Sequence, residues 1–431
     1  MPFDNSKRVL VVGDAVLDFH LDRNVIRLGG IFHAVKALSA AKAACGLAYL
    51  APSYLADAIA QEAHRLNLEL MAGAGEITGA PNVMAIGEST EAGDQMYRDV
   101  LGDRRSTYLD LDALGTVASQ FRPTDVLLML DGLALAAAMQ ADFGGAAIHI
   151  DTHGLVELPP GLQVASILTS TTGADFRELG ADPEALRRRF PKESVRQIVL
   201  KENRGGSRTL MQDDRSVDAP TFPVQTVYSV GVGDVFDAAW VLQPDGADAR
   251  SRLMLASWIA SLYASGLDGE AFARAVEAAA SRESLISSMT GIRLPWEGRR
   301  SISIYLAAPD FPGVDVGPLD KLASALSYHN FSPVLPVREV GLARGGEGPA
   351  EESRIYQGDR ALLSDARMMI AVPLINDPGT HTELGLFAAS GRPVILYNPR
   401  KVPMNLFVRK TATAVCETLG ETIDAVFRLA A

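Results

Sequence analysis

The sequence predicts an α/β protein built from two unequal blocks, and three observations carry that reading. Short apolar runs alternate with longer helical patterns between residues 8 and 290, a rhythm that implies a mostly parallel sheet with helices on both faces. The stretch Gly291–Arg300 then punctuates the chain with Gly, Pro and charge. A fresh apolar run, Ser301–Ala307, starts the second block. The boundary is accordingly placed between residues 297 and 298, giving domains 1–297 and 298–431. At 431 residues the chain has room for two or three domains, each large enough to bury a core of its own.

Elements of the first block follow in order. Arg8–Gly13 reads as a buried strand, and Gly29-Gly30 opens an alanine-rich helix. The polar stretch Ser89–Tyr108 is either a lid over a cleft or a plain surface excursion. Further strands are expected at Val126–Leu130, Ala147–Asp151, Val164–Leu168 and Gln197–Leu200, and a helical stretch at Ala271–Ser288. Between them lies Ser229-Val230-Gly231-Val232-Gly233-Asp234-Val235-Phe236-Asp237-Ala238-Ala239. Glycines at a helix start let backbone N–H groups approach an anion, and the helix dipole adds a favourable field. An aspartate immediately behind can take a proton from an attacking hydroxyl. A Gly-x-Gly-Asp turn also serves simple helix initiation, so the motif alone leaves both readings open.

In the second block the apolar run Met368–Ile375 leads through a turn, Asp377-Pro378-Gly379, into a helix at Leu384–Ser390. Asp377 is thereby placed at the C-terminal end of a strand and Glu383 in the first helical turn, the edge where ligands of open α/β sheets gather. Two carboxylates there can divide the work, one attacking or exchanging protons and the other orienting a substrate. The plainer alternative makes Asp377 a turn former and Glu383 a complement to the helix dipole.

Composition narrows the classes. Apolar residues make up 48% and charged residues 21%, ordinary for a soluble globular protein. A net charge of −12 argues against nonspecific nucleic-acid binding. Arg187–Arg189 and Arg299–Arg300 read as solvated faces or boundary residues. Cys45 and Cys416 read as buried thiols of a reducing compartment, and no metal site is expected from their spacing. None of the seven histidines shows ligand spacing. His149 and His153 fall across a strand end and a turn, which does not suit zinc; His381 touches a substrate or faces solvent. Trp240, Trp258 and Trp296 read as packing residues, and Met368-Met369 as strand core. No internal repeat or low-complexity segment is evident. The N-terminus has no apolar signal core. Val126–Met139, interrupted by Asp131, is too short to span a bilayer. A cytoplasmic protein with no membrane partner is expected.

Five separated segments of the second block share an order and spacing. They are Ile302-Ser303-Ile304-Tyr305-Leu306-Ala307-Ala308-Pro309-Asp310-Phe311, then Gly358-Asp359 with Ser364-Asp365-Ala366, the Asp377/Glu383 segment, Ala388–Tyr397, and Val402-Pro403-Met404-Asn405-Leu406. From roughly Arg299 to the end, they resemble the nucleoside 2-deoxyribosyltransferase family. The resemblance implies a flavodoxin-like parallel sheet and Glu383 as the nucleophile on the anomeric carbon of a deoxynucleoside. Asp359 would handle the proton of the leaving base, Asp377 would hold the sugar hydroxyls, and Tyr305 would position the nucleophile. Phe311 would line the substrate site. Asn405 would reach the sugar 5′ end from a neighbouring subunit, so the site would need at least a homodimer formed through this domain. No cofactor is implied. Relatives that cleave 5′-monophosphates carry serine at the position of Asp377. A carboxylate there repels a phosphate and accepts from a free 5′-OH, so a nucleoside substrate is expected.

The first block, over roughly residues 7–295, resembles the ribokinase-like (PfkB) carbohydrate kinases, on Gly13-Asp14-Ala15-Val16-Leu17-Asp18, Gly29-Gly30 and Gly231-Val232-Gly233-Asp234. The resemblance implies a doubly wound sheet, Asp234 as catalytic base, Gly231 and Gly233 as anion hole, and Asp18, Gly29 and Gly30 on the sugar. ATP and Mg²⁺ would be the cofactors of an active kinase. Departures are several. Tyr228 stands where the family has aspartate. Thr172-x-x-Asp175 replaces Asn-x-x-Glu, and Lys201-Glu202-Asn203 replaces Thr-x-Gly. His33 and Ala34 lie where a sugar-side asparagine is expected. Losing several polar contacts together points to altered or absent phosphoryl transfer. Two readings stay open: an active sugar or nucleoside kinase, or a ligand-sensing or scaffolding pseudokinase. Joined to the second block, the kinase reading implies nucleoside salvage, whereas the pseudokinase reading implies a module that regulates or scaffolds the C-terminal enzyme; nucleoside, free base and sugar are the expected partners.

Overall fold

The computed structural model describes residues 3–152, 154, 157–211, 215–343 and 346–431. His153 lies outside the described residues. The chain divides into two compact units, one holding residues up to Thr90 and Gln95–Arg293, the other Glu91–Asp94 and Leu294–Ala431.

The first unit is organised by β1 (Arg8–His20), β2 (Val25–Gly30), β3 (Ala44–Ala51), β4 (Leu70–Thr78), β5 (Val83–Ile86), β6 (Tyr97–Asp99) and β7 (Ser106–Leu109). It continues with β8 (Asp125–Met129), β9 (Ala147–Asp151), β10 (Ser166–Ser170), β11 (Gln197–Lys201), β12 (Ser207–Met211) and β13 (Ser216–Ala219). The sheet runs β13-β12-β11-β10-β9-β8-β1-β3-β4-β7. From β11 to β4 the pairings are parallel, and both ends close with antiparallel strands. Val9–Val12 are fully buried, as a parallel strand covered on both faces requires.

The first strand is longer than the apolar run suggests. Up to Asp14 it pairs with β3 and β8. From Ala15 onward it leaves the main sheet and pairs antiparallel with β2 and parallel with β5. β6 adds to β5, so part of Ser89–Tyr108 forms a small second layer while β7 edges the main sheet. Two expectations are corrected. The strand expected at Val164–Leu168 spans Ser166–Ser170, with Val164 in an isolated bridge. Ala271–Ser288 is two helices, Gly269–Ala280 and Glu283–Ser288. Glu91–Asp94 groups with the second unit, where Tyr328 Oη donates to the Glu91 carboxylate at 2.8 Å.

The second unit holds five parallel strands: β14 (Ser303–Ala307), β15 (Ser332–Val334), β16 (Met368–Ala371), β17 (Val394–Tyr397) and β18 (Ala414–Cys416). Their order, β15-β14-β16-β17-β18, is the 2-1-3-4-5 arrangement of flavodoxin-like sheets. Ile304–Ala307, Met368–Ala371 and Val394–Tyr397 are buried throughout. Arg299, expected at a solvated or boundary position, is instead fully buried. Its Nε donates to Leu294 O at 3.0 Å, and its guanidinium lies 5.0 Å from the Phe427 ring centre. Backbone carbonyls of Leu294 and His329 and the rings of Trp296 and Phe427 make the cation tolerable inside. Among the described residues no helix is long and apolar enough to cross a membrane.

Candidate functional site

In the second unit the strand order reverses between β14 and β16, the switch point at which open sheets of this kind receive ligands. Tyr305 lies on β14 and is fully buried. Asp359 lies on the helix Pro349–Asp365 that leads into β16. A Cβ at Gly358 would fall 2.6 Å from Val340 Cγ1, so glycine allows this helix to approach Val340 closely, one residue before Asp359.

Asp377 caps the helix Pro378–Ala388, with Pro378 in its first turn. Its Oδ2 accepts from Thr380 N and from Thr380 Oγ1, both at 2.7 Å. The helix therefore starts earlier than the sequence reading put it. Glu383 sits in the second turn, not the first, and the expected Asp377-Pro378-Gly379 turn is the helix start itself. The cause is local: aspartate at the cap and proline just inside are strong helix initiators. Beyond the first turn the dipole has little hold on Glu383, which removes the plainer explanation for its carboxylate.

The electrostatics tie the set together. Burial pushes the Glu383 carboxyl up to about 7; the Tyr305 hydroxyl opposes the rise, and Asp359 and Asp377 add to it. Burial, then the Glu383 and Asp359 charges, push the Tyr305 phenol well above its ordinary value. Burial raises Asp359 as well. Tyr305 Oη and Glu383 feel one another, yet no well-aligned hydrogen bond closes between them. Tyr305 Oη, Asp359 Oδ1 and His381 Nε2 are all buried without a partner among the described residues. Buried polar atoms are normally satisfied, so the unpaired Tyr305 and Asp359 oxygens in this carboxylate set suit a bound ligand. Phe311 is half-buried on the loop after β14. Asn405 is exposed and caps the helix Leu406–Thr411, its Oδ1 accepting from Phe407 N at 2.8 Å. Beside it, Leu406 is 59% and Phe407 81% exposed.

In the first unit, Asp18 Oδ2 lies 2.9 Å from His33 Nε2, and His33 Nδ1 lies 2.8 Å from Tyr263 Oη. A Cβ at Gly29 would meet Asp18 Oδ2 at 1.8 Å, and one at Gly231 would meet the His33 ring at 2.1 Å. Gly231 also has φ of 74°, a left-handed conformation open to glycine. Gly30, with φ of 57°, starts the helix Ile31–Ala40. His33 thus joins the Asp18 side of the site to the glycine turn. The sequence reading saw it merely as a substituted position; its place one turn into a helix opened by Gly29-Gly30 was the available signal.

The remaining departures are engaged locally. Thr172 Oγ1 pairs with Ser170 Oγ at 2.7 Å, and Asp175 accepts from Thr169 Oγ1 at 2.9 Å. Arg23 and Arg27 stack over the Tyr228 ring at 4.2 and 4.3 Å. Asp234 lies in the first turn of the helix Val232–Val241, and one carboxylate oxygen each from Asp151, Asp234 and Asp237 falls within 4.8 Å of the others. Lys201 Nζ forms ion pairs with Asp237 and, at 3.4 Å, with Asp151. No sequence pattern links Lys201 to Asp237, because strand-to-helix ion pairs have no period to read.

Residues 304–423 match the family model described as nucleoside 2-deoxyribosyltransferase. No curated protein matches the chain. Solved structures similar to its N-terminal region include a tetrameric inhibited form of phosphofructokinase-2 from Escherichia coli, at 15% identity. That likeness covers 64% of this chain and 100% of that one, with a TM-score of 0.48. Another is a ribokinase from Arabidopsis thaliana complexed with ribose and ATP, at 15% identity, covering 66% and 99% of the two chains, with a TM-score of 0.44. The chain carries a nucleoside 2-deoxyribosyltransferase-like domain over residues 304–423, preceded by a region similar to ribokinase and phosphofructokinase-2 structures.

Proposed function

We propose that the C-terminal unit cleaves or transfers the N-glycosidic bond of a (deoxy)nucleoside through a glycosyl-enzyme on Glu383. The observation that carries this reading is the joining of Glu383, Asp359 and Asp377 to a buried phenol with no hydrogen-bond partner of its own. A Glu383 oxygen attacks the anomeric carbon as the carbon–nitrogen bond breaks, and the bond's electron pair leaves with the base. Asp359, which burial biases toward its protonated form, passes a proton to the departing base. In the second half a base or water attacks the same carbon, frees the Glu383 carboxylate and returns a proton to Asp359. Turned to donate to Glu383, the Tyr305 hydroxyl holds it in line and lowers its pKa, keeping part of it ionised near neutral pH.

Asp377 spends Oδ2 on the helix cap, which leaves Oδ1 to accept from a sugar hydroxyl. Its charge favours a nucleoside over a monophosphate. Asn405 is assigned to the sugar 5′ end of a neighbouring copy, and the exposed Leu406 and Phe407 beside it offer apolar surface for that contact. The test is a panel of deoxynucleosides, with and without a second free base, on the wild type and on Glu383→Ala. Base release or exchange that vanishes in the variant supports the reading. Release that persists in the variant, or a preference for monophosphates, contradicts it.

For the N-terminal unit the favoured reading is a ligand-binding module that serves the same nucleoside salvage, ahead of an ATP-dependent sugar or nucleoside kinase. The supporting observation is that Asp18 is already paired with His33, whose ring packs against Gly231. Calorimetric binding of a sugar or nucleoside without ATP consumption agrees with this; sugar- or nucleoside-dependent ATP consumption contradicts it.

A further inference from the structure

Three carboxylates meet at one end of the first unit. Asp151 ends β9, and Asp234 and Asp237 lie on the helix Val232–Val241; one oxygen of each falls within 4.8 Å of the others. Hard oxygen donors at this spacing suit a divalent cation, the companion an ATP-dependent kinase of this fold would require. The position is taken. Lys201, at the end of β11, places its ammonium against Asp237 and 3.4 Å from Asp151. The same ammonium lies 3.5 Å from where a Gly233 Cβ would be, within the glycine turn that a phosphate would have to approach. Asp237 is fully buried, and its Oδ1 has no hydrogen-bond partner. As they stand, the residues do not fit a metal–nucleotide complex.

We infer that the Lys201 ammonium is a built-in cation holding the place of a divalent metal among Asp151, Asp234 and Asp237, so that the N-terminal unit takes up no divalent ion there. The inference is independent of the nucleoside chemistry and deepens the reading of this unit as a binding module. Burial would lower the Lys201 pKa, but Asp151 and Asp237 outweigh it and keep the ammonium charged. A bare polyphosphate would face three carboxylates with a single ammonium to offset them, which is repulsive at short range.

Removing the ammonium should expose the metal site it masks. The experiment titrates Mn²⁺ into the full chain and reads free ion by electron paramagnetic resonance. Wild type, Lys201→Met and the double variant Lys201→Met with Asp237→Asn are compared, and each is also melted with and without Mn²⁺. Wild type is expected to bind no stoichiometric Mn²⁺, and Lys201→Met to gain one ion per chain. Its affinity should exceed wild type's by roughly tenfold or more, because an internal charge no longer competes. The double variant should lose that ion again.

If Lys201→Met is unstable without metal, Mn²⁺ must raise its melting midpoint while leaving that of wild type unmoved. Stoichiometric Mn²⁺ uptake by wild type overturns the assignment. So does a folded Lys201→Met that gains no ion, or an unstable one that Mn²⁺ fails to rescue. ATP consumption by wild type would instead overturn the binding-module reading, so the two failures are told apart.

Discussion

Replacing Glu383 with glutamine should stabilise the protein at alkaline pH and leave it unchanged at acid pH. Burial lifts this carboxyl from 4.5 to about 7 in the folded chain. Between those values the native state binds more proton than the unfolded state, so stability falls as pH rises through the window. Above pH 7 the full cost of the buried charge is present; below about 4.5 it is absent. At 1.36 kcal/mol per pKa unit, the cost reaches about 3 kcal/mol. Glu383→Gln removes the charge and nearly keeps the shape. The variant should match wild type at pH 4 and exceed it at pH 8.5 by up to about 3 kcal/mol. For a unit of this size that is a rise of roughly 10 °C in Tm. Scanning calorimetry of both proteins at the two pH values reads the gap directly. A gap that does not change with pH, or a variant less stable than wild type at pH 8.5, would refute the reasoning. A carboxylate that destabilises its own fold is the expected signature of a group kept for chemistry.

The same geometry sets other outcomes. Tyr305→Phe removes the hydroxyl that lowers the Glu383 pKa, so the acid limb of kcat/KM should move to higher pH, with a loss of about tenfold at pH 7; an unmoved limb would deny Tyr305 its place beside Glu383. Asp377→Ala should cost about 1 kcal/mol through the lost helix cap, whereas Asp377→Asn keeps the cap. Nucleoside turnover should fall in both, and full turnover in the asparagine variant would confine Asp377 to capping. Mixing inactive Glu383→Ala with inactive Asn405→Ala chains should restore part of the activity if each site borrows Asn405 from a neighbour; no recovery on mixing would leave Asn405 as a cap alone.

Strands were legible where burial on both faces made the sequence continuously apolar. Ala147–Asp151 and Gln197–Lys201 lie almost where the alternation puts them. The second half of β1 was not legible, because past Asp14 the strand leaves the main sheet and its partners, β2 and β5, are set by tertiary contact. Glu383 was misplaced by one turn although the signal was present, since Asp377-Pro378 is a cap followed by a first-turn proline. The motifs of the second block named Tyr305, Asp359, Asp377 and Glu383, and the fold makes them one electrostatic set. In the first block the motifs led to Asp18, Gly29, Gly231 and Asp234. His33 and Lys201 stood out in the sequence as departures from the motif, but what they do to those residues became visible through their partners.

The central claim is the covalent sugar on Glu383, and mass spectrometry tests it most directly. Wild type mixed with a deoxynucleoside and no acceptor base is quenched in acid, digested, and searched for the peptide that contains Glu383. A deoxyribosyl increment on that peptide, absent from Glu383→Ala, is the predicted result. Release of free base with no increment on any peptide, or with the increment on another carboxylate, would contradict the account.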